Sequence, residues 1–319
     1  MERLDYNSLP QPTLGQTVLT IGNFDGVHRG HQELIRTTVA EARQNNLTSV
    51  LLTFYPHPVT FFLPGSNIQT ICSQQYKEKL IAMLDIDAMI TLTFDEKFAS
   101  LSPEDYVKNI LIDKLNIATI WVGYDFNFGR NRSGNVRNLI EMGELWGFKT
   151  RVLSPQRNDG IVISSTKIRE LILTGNTQEA NHYLNRVHII TGSVVSGDER
   201  GRSLGYPTIN IDVQEGLIPA NGIYSSIIEI DSRHYPAATY IGRRPTFGDP
   251  SFRVEAHIIG FSGNLYHQRI SVGFLNFIRP DAEFENSKQL AHAIANDCKV
   301  TQHDFDLYEG DANKLPFII

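Results

Sequence analysis

Residues 17–31 read TVLTIGNFDGVHRGH. The first five form a short run of β-branched and apolar residues, which is typical of a strand covered on both faces. A glycine-rich turn follows, and a helical spacing of apolar residues begins near Glu33. A strand that leads through such a turn into a helix opens a parallel α/β sheet, so this stretch predicts the fold of the first half of the chain.

The same alternation of strand and helix patterns continues to about residue 154 and predicts a Rossmann-like domain. The predicted strands are Thr17–Ile21, Ser49–Phe54, Ala88–Phe94, Thr119–Gly123 and Lys149–Leu153. The predicted helices are Glu33–Asn45, Gln74–Leu84, Pro103–Leu115 and Val136–Trp146. Two further helical patterns, Ser165–Leu173 and Thr177–Leu184, are expected to close this domain, which we place at residues 1–186.

The turn after the first strand has a phosphate-binding pattern. Backbone N–H groups of a glycine-rich turn and the positive end of the following helix both favour an anion. His28 and His31 lie about one helical turn apart, so both imidazoles can donate hydrogen bonds to a triphosphate as pyrophosphate leaves. This HxGH pattern is neither a Walker A loop nor GxGxxG, and it resembles the signature of a nucleotidyltransferase superfamily. The other candidate binding residues of the turn are Gly22, Asn23, Phe24, Asp25, Gly26 and Gly30.

Two later segments are candidates for the same site. The segment ISSTKIR, residues 163–169, starts a helix, and Ser164 either caps that helix or contacts phosphate. Arg169 can reach phosphates as a forked donor, and Ser165 and Thr166 are further candidate contacts. The loop GYDFNFGR, residues 123–130, contains Asp125 and follows a strand, where open α/β sheets bind ligands. Its aromatic residues either line a nucleotide or flavin pocket or belong to the core.

After about Arg186 the pattern changes to short strands joined by turns rich in Gly, Pro, Asn and Asp. This pattern of short strands predicts an antiparallel barrel or sandwich, which we place at residues 187–319. The predicted strands are His188–Val195, Ile223–Ile230, Tyr235–Ile241, Arg253–Ile259 and Arg269–Phe274. A late helix is predicted over Ser287–Cys298.

The densest motif of the second half is GDERGRSLGYPTIN, residues 197–210. Its glycines allow a tight turn around phosphate, and a structured hairpin without a ligand is the alternative. Thr208 and Asn210 fall on one side if the chain is extended, and their oxygens suit Mg²⁺ that bridges nucleotide phosphates. The other candidate binding residues here are Gly201, Arg202, Gly205 and Pro207.

Glu255 belongs to the alternating segment VEAHI, residues 254–258. Val254, Ala256 and Ile258 are expected on one face of a strand, and Glu255 and His257 on the other. A carboxylate held on such a strand can act as a general base towards a primary hydroxyl.

Composition limits the classes of function. The chain has 319 residues and a formal net charge of −6, which disfavours a general nucleic-acid binder. The two cysteines, Cys72 and Cys298, are too far apart to suggest a disulfide scaffold or a zinc site. The sequence shows no signal peptide and no membrane-length apolar run, so we expect a cytoplasmic protein whose partners are small molecules.

The motifs together resemble the bacterial bifunctional riboflavin kinase/FMN adenylyltransferase (FAD synthetase) family. The matching stretches are GNFDGVHRGH, TFYPHP, VGYDFNFG, ISSTKIR, GDERGRSLGYPTIN, NGIY, IGRRPTF, VEAHII and FIRPDAEF, within residues 22–284. The resemblance implies a Rossmann-like nucleotidyltransferase domain followed by a six-stranded β-barrel riboflavin kinase domain. It also implies ATP as co-substrate, with riboflavin, FMN and FAD as substrates and products.

The resemblance assigns roles to residues as well. His28, His31, Asp125, Ser164 and Arg169 would hold ATP or flavin phosphates in the adenylyltransferase site. In the kinase site, Thr208 and Asn210 would bind Mg²⁺ and ATP, and Glu255 would deprotonate the riboflavin 5′-hydroxyl.

Two segments depart from the family pattern. The family's LGRPY is here Leu184-Asn185-Arg186-Val187-His188, and its LYG is Leu265-Tyr266-His267. These changes are expected to affect a linker or a flavin-side loop rather than the phosphate motifs. Alternatives to the bifunctional enzyme are a nucleotidyltransferase with another phosphorylated acceptor, a flavin-binding protein with degenerate sites, and a nucleic-acid-binding barrel. The PTIN segment and Glu255 speak against the first alternative. All the expected side chains are present, which speaks against the second. The third lacks a basic and aromatic surface pattern.

Overall fold

The computed structural model describes residues 1–9, 15–62, 70–197, 204–243 and 252–318. Contacts between residues divide the chain into two compact units. One unit contains Met1–Ile68 and Gln74–Ile163, and the other contains Gln69–Ser73 and Ser164–Ile319. None of the described helices is long and apolar enough to cross a membrane.

The first unit contains a six-stranded parallel sheet with strand order β1-β4-β3-β2-β5-β8. Its strands are β1 (Glu2–Asp5), β2 (Thr17–Ile21), β3 (Thr48–Tyr55), β4 (Ala88–Thr93), β5 (Ile117–Gly123) and β8 (Lys149–Leu153). Two short ladders pair β6 (Asn127–Phe128) with β7 (Gly134–Asn135), and β9 (Arg157–Asn158) with β10 (Ile161–Val162). The Rossmann-like prediction is confirmed, and the sequence did not predict β1 of the main sheet or the two short ladders. Three of the four residues of β1 are exposed, so it lacks the apolar run of a covered strand.

The helices of this unit are α1 (Arg29–Gln44), α2 (Pro58–Phe62), α3 (Gln74–Ala82), α4 (Glu96–Ala99), α5 (Pro103–Asp105) and α6 (Val136–Trp146). Helix α1 buries Leu34, Ile35 and Val39 and is tied to β5, because Glu41 accepts hydrogen bonds from Trp121 and Thr119. The segment predicted as one helix from Pro103 to Leu115 differs: α5 continues as a π-helix over Tyr106–Ile112.

The second unit is built around a closed antiparallel barrel with strand order β11-β12-β15-β14-β13-β16, which confirms a barrel rather than a sandwich. The strands are β11 (His188–Val195), β12 (Ile209–Glu215), β13 (Gly222–Ile230), β14 (Arg233–Arg243), β15 (Phe252–Ile258) and β16 (Arg269–Arg279). Its helices are α7 (Ser165–Leu173), α8 (Thr177–Leu184) and α9 (Ser287–Gly310). The late helix is thus longer than predicted, since it continues past Cys298 to Gly310.

Helix α8 packs on the barrel, although the strand–helix alternation assigned it to the first domain. Thr177 Oγ1 donates to the carbonyl of Leu275, and Asn181 Nδ2 donates to that of Phe274. The side chain of Asn181 also accepts from His188 N at 2.7 Å. By contacts the helix therefore belongs to the unit of the barrel, while the domain boundary at residues 186/187 stays a prediction.

The departures from the family pattern are accommodated by the backbone. Asn185 adopts φ 57° as the C-cap of α8, and His267 adopts φ 66°, both in the left-handed region that glycine favours. Asn tolerates this region well, whereas it costs His free energy. Val187, in place of the family's proline, donates its N–H to the carbonyl of Pro316 at 3.0 Å, a bond that proline cannot make.

His188 links β11 to the chain before β13. Its Nε2–H donates to the carbonyl of Leu217 at 2.7 Å, and its ring stacks on Phe274. Burial lowers the pKa of His188 to about 4, against the raising effect of the Leu217 bond and with the help of the nearby Arg186 charge.

The depressed pKa of His188 predicts acid sensitivity of the barrel. The unfolded chain takes up this proton near pH 6.5 and the folded chain only near pH 4. His188 therefore contributes stability that is present above pH 6.5 and is lost as the pH falls towards 4, by about 3 kcal/mol at most. Urea-dependent hydrogen exchange of β11 peptides at pH 7 and pH 4.5 measures this loss. In His188→Gln, which cannot titrate, the pH dependence is expected to be shallower, and an unchanged dependence would contradict the assignment.

Candidate active sites

The turn Gly22–His28 of the first unit is buried and conformationally unusual. Phe24 and Val27 adopt φ 51° and 41°, and Gly26 adopts φ 78°. Positive φ at a β-branched residue such as Val27 is a true outlier, and such strain persists where the surroundings hold it in place. Here Gln32 Nε2 donates to the carbonyl of Val27, and Val27 N donates to that of Phe24. The turn is therefore held rigidly at the carboxyl end of β2.

His28 is the N-cap of α1, and its Nδ1 accepts a hydrogen bond from His31 N at 3.3 Å. With Nδ1 as acceptor, the neutral ring carries its proton on Nε2. The rings of His28 and His31 stack with centroids 3.6 Å apart, and Phe24 meets His31 edge-on. The expected pairing of the two imidazoles on one helix face is thus present.

Gly30 makes room for a side chain of the protein itself. A Cβ at this position would lie 3.2 Å from Cε1 and 3.3 Å from Nδ1 of His28. The lack of a side chain at Gly30, one of the predicted binding residues, thus accommodates the His28 ring.

His31 is held neutral. Burial, together with the neighbouring His28 and Lys77, keeps the pKa of His31 well below its usual value. Its Nδ1 is out of contact with solvent and has no hydrogen-bond partner among the described residues. Lys77 was not among the residues predicted for this site, because nothing in its local sequence distinguishes it from Lys79 on the same helix.

An aromatic cluster occupies the same edge of the sheet. Phe54 is the penultimate residue of β3, and Phe94 follows β4, with ring centroids 5.8 Å apart. The cluster consists of Phe54, Phe61, Phe62, Phe94 and Phe98. Phe62 is 61% exposed. The carboxyl ends of neighbouring parallel strands lie at the same edge of a sheet. The cluster therefore lies beside β2, the strand that leads into the glycine-rich turn.

The remaining residues predicted for this site have mixed outcomes. Asp125 is exposed after β5, and Phe128 is buried against Tyr106, so the core alternative holds for that ring. Ser164 caps α7 by accepting from Lys167 N at 3.2 Å. Ser164, Ser165, Thr166 and Arg169 fall in the second unit by contacts, so their part in a site with His28 stays a prediction.

The candidate site of the second unit is a row of side chains across three barrel strands. Asn210 on β12 is the register partner of Glu255 on β15, which in turn is the partner of Tyr240 on β14. Directly opposed residues project to the same face of a sheet. Val254 and Ala256 fill the barrel core, so the row lies on the outer face, and the alternation predicted for this strand is confirmed.

Glu255 is paired with Arg253, two positions before it on the same face of β15. Tyr240 OH donates to Asp281 Oδ2 at 2.8 Å, so the segment after β16 reaches the row. Burial and the carboxylates of Asp281 and Glu255 raise the pKa of Tyr240 to about 12, against the effect of Arg253. Tyr240, Arg253 and Asp281 were not predicted, because only the barrel pairing brings them to Glu255.

The segment before β12 is fixed beside this row. His257 Nδ1–H donates to the carbonyl of Pro207 at 2.8 Å, and Tyr206 meets the His257 ring edge-on. This contact places Thr208 next to Asn210 at the start of β12. Gly205 adopts φ 85°, as a tight turn requires, while Gly201 and Arg202 lie outside the described residues.

An ion pair between Arg279 and Asp297 fixes the chain after β16, which leads to Asp281. Arg279 forms a paired contact with Asp297 of α9, from Nε to Oδ1 at 2.9 Å and from Nη2 to Oδ2 at 2.7 Å. Asp297 is 3% exposed. This buried ion pair fixes the start of the segment that carries Asp281.

Comparison with known proteins gives a consistent assignment for both units. A family model described as FAD synthetase matches residues 11–167, and one described as riboflavin kinase matches residues 184–305. A bifunctional riboflavin kinase/FMN adenylyltransferase of Buchnera aphidicola (from Schizaphis graminum) is 36% identical over 91% of this chain and 95% of its own length. The protein of the same description from Escherichia coli K12 is 31% identical over 94% of this chain and 96% of its own length.

A solved structure is also similar. It is described as a macrolide-efflux protein from Streptococcus pneumoniae and matches with a TM-score of 0.87 at 29% identity, over 95% of this chain and 99% of that chain. That description belongs to that protein, and both family models and the curated relatives point instead to flavin chemistry.

The packing around Asn210 generates a prediction. A Cβ added at Gly197 would lie 2.0 Å from Asn210 Nδ2 and 2.4 Å from its Cγ, so Gly197→Ala must displace this buried amide. We expect the substitution to destabilise the barrel by about 1–3 kcal/mol. Gly310→Ala is the control, since nothing lies within 4 Å of a Cβ there. Urea-dependent hydrogen exchange of β12 peptides separates the two variants, and equal stability would show that Asn210 is not fixed as described.

Proposed function

The chain belongs to the family of bifunctional riboflavin kinase/FMN adenylyltransferases, and we propose that the two sites described above carry its two reactions. It is an enzyme of FAD biosynthesis. It transfers a phosphoryl group from ATP to riboflavin, which gives FMN, and an adenylyl group from a second ATP to FMN, which gives FAD. The observation that carries the kinase assignment is the row Asn210–Glu255–Tyr240 on the outer face of the barrel.

In the kinase step we assign Glu255 as the general base. Its carboxylate takes the proton of the riboflavin 5′-hydroxyl, the oxygen attacks the γ-phosphorus of ATP, and ADP leaves. The contact with Arg253 orients the carboxylate. Tyr240 stays protonated at neutral pH, because its pKa is raised to about 12, and holds Asp281 at the edge of the row. Gly201, Arg202, Gly205 and Pro207 are proposed to shape the phosphate turn.

Thr208 and Asn210 fit a Mg²⁺ ion that is bound mainly by nucleotide. Their hydroxyl and amide oxygens are hard ligands, and Asn210 is held on one side by Gly197. The described residues contain no group of three His, Cys, Asp or Glu side chains that could hold a metal alone. Two protein oxygens completed by phosphates are the usual arrangement for Mg²⁺. When bound, the ion supplies charge neutralisation at the β- and γ-phosphates.

In the adenylylation step the FMN phosphate attacks the α-phosphorus of ATP, and pyrophosphate leaves. The nucleophile is already ionised, so no general base is needed. The His28 ring donates from Nε2, and the Gly22–Gly26 backbone and the N-terminus of α1 stabilise the phosphates. We retain Asp125, Ser164, Ser165, Thr166 and Arg169 as proposed contacts of ATP or FMN.

The aromatic cluster after β3 and β4 is proposed to receive the isoalloxazine ring. Five phenylalanine rings lie there with centroids 5.2–5.8 Å apart, and Phe62 presents an open face. A flat aromatic ligand gains both apolar burial and ring contacts on such a surface. The partners of the enzyme are these small molecules, and a cytoplasmic location remains the expectation from its sequence.

The two assignments predict separable losses. Glu255→Gln keeps the size of the side chain but removes the base, so FMN formation is expected to fall by about a hundredfold or more, while conversion of supplied FMN to FAD is unchanged. His28→Ala is expected to reduce the conversion of supplied FMN to FAD and to leave FMN formation unchanged. Chromatography of the flavins after incubation with ATP and Mg²⁺ measures both.

The exposed His292 on α9 provides the matched control, since His292→Ala should change neither step. If either site variant lost both activities equally while still folded, the assignment of separate sites would be wrong.

A further inference from the structure

Lys77 is a buried charged residue next to the imidazole pair. It lies on α3 with 7% of its surface exposed, and a lysine this deep is uncommon because the ammonium must leave water. Its Nζ donates to the carbonyl of Asn23 and to Thr53 Oγ1, both at 3.2 Å. Thr53 Oγ1 also donates to the Asn23 carbonyl at 3.4 Å. The ammonium therefore bridges the glycine-rich turn and β3.

The electrostatic surroundings of His31 give this lysine a second role. The charged groups that act on His31 are His28 from the turn and Lys77 from α3, while Arg29 and Glu33 on α1 are exposed. Burial first, and then the charges of His28 and Lys77, disfavour a positive charge on His31, so His31 contributes a hydrogen-bond donor rather than charge. A neutral His31 does not help to balance the charge of a polyphosphate.

We propose that Lys77 is a positioning residue of the adenylyltransferase site, which ties the Gly22–His28 turn to β3 and supplies positive charge beside the imidazole pair. The inference rests on the assignment of adenylyl transfer to the site around His28. It adds a residue from a helix outside every motif that identified the site.

Substitution of Lys77 tests both roles, with Lys79→Met as the matched control because Lys79 is exposed on the same helix. In Lys77→Met, kcat/KM for ATP in FMN adenylylation is expected to fall about tenfold or more, the scale of one charge-assisted contact. The pKa of His31, followed by NMR of ¹³C-labelled histidine, is expected to rise, although burial and His28 still keep it below its usual value. Riboflavin phosphorylation should stay unchanged, and Lys77→Arg should leave the His31 pKa near that of the parent protein.

Thr53→Val tests the link that Lys77 makes between the turn and β3 separately from the charge of Lys77. It removes one contact of the ammonium but keeps the charge, so adenylylation should weaken while the His31 pKa does not move. Fluorescence of Trp121 and Trp146, both in the first unit, reports whether each variant is folded. If Lys77→Met does not fold, the Lys77→Arg and Thr53→Val variants decide. The proposal is overturned if Thr53→Val adenylylates FMN like the parent protein, or if the pKa of His31 changes in Thr53→Val.

The outcomes also distinguish this inference from the function on which it rests. If His28→Ala leaves FAD formation intact, the site assignment itself is wrong. If His28→Ala abolishes FAD formation but Lys77→Met behaves like Lys79→Met in both kinetics and His31 titration, only the role of Lys77 is overturned.

Discussion

The cap that His28 places on α1 organises the first unit's site. One imidazole nitrogen satisfies the N–H of His31, which fixes the ring over Gly30. That single contact stacks the two histidines and sets the start of α1 directly after the turn. The backbone N–H groups of the turn, the N-terminus of α1 and an imidazole are thereby brought together, which is the arrangement proposed to bind phosphate. The positive φ values at Phe24 and Val27 are the conformational cost of this arrangement.

The candidate site of the barrel lies outside its core, because the interior is filled by the barrel's own side chains. Tyr224, Phe274 and Val254 are buried in the core, and the candidate catalytic side chains stand on the outer face. Strand pairing aligns Asn210, Glu255 and Tyr240 into a row, which no local sequence feature could do. Closure of the barrel thus provides a rigid support on which loops from distant parts of the chain, at residues 204–208 and 280–284, converge.

The elements that the sequence predicts well are those with strong local patterns. Thr17–Ile21 and Val136–Trp146 match the structure to the residue, because an apolar run and a capped helix that ends in a left-handed glycine leave few alternatives. Strand β1 and the π-helix at Tyr106–Ile112 were not predictable, since pairing and packing rather than local preference determine them. Among site residues, His28, His31, Asn210 and Glu255 stand in motifs, whereas Lys77, Tyr240 and Asp281 become partners of the sites only through tertiary contacts.

The central claim is that one chain performs two chemically different transfers from ATP. The most direct test supplies riboflavin, Mg²⁺ and ATP labelled with ³²P at either the γ- or the α-phosphorus, and resolves the flavins over time. We expect γ label to appear first in FMN and then in FAD, and α label to appear in FAD and never in FMN. Absence of γ label from FMN would contradict the kinase assignment, and absence of α label from FAD would contradict the adenylyltransferase assignment.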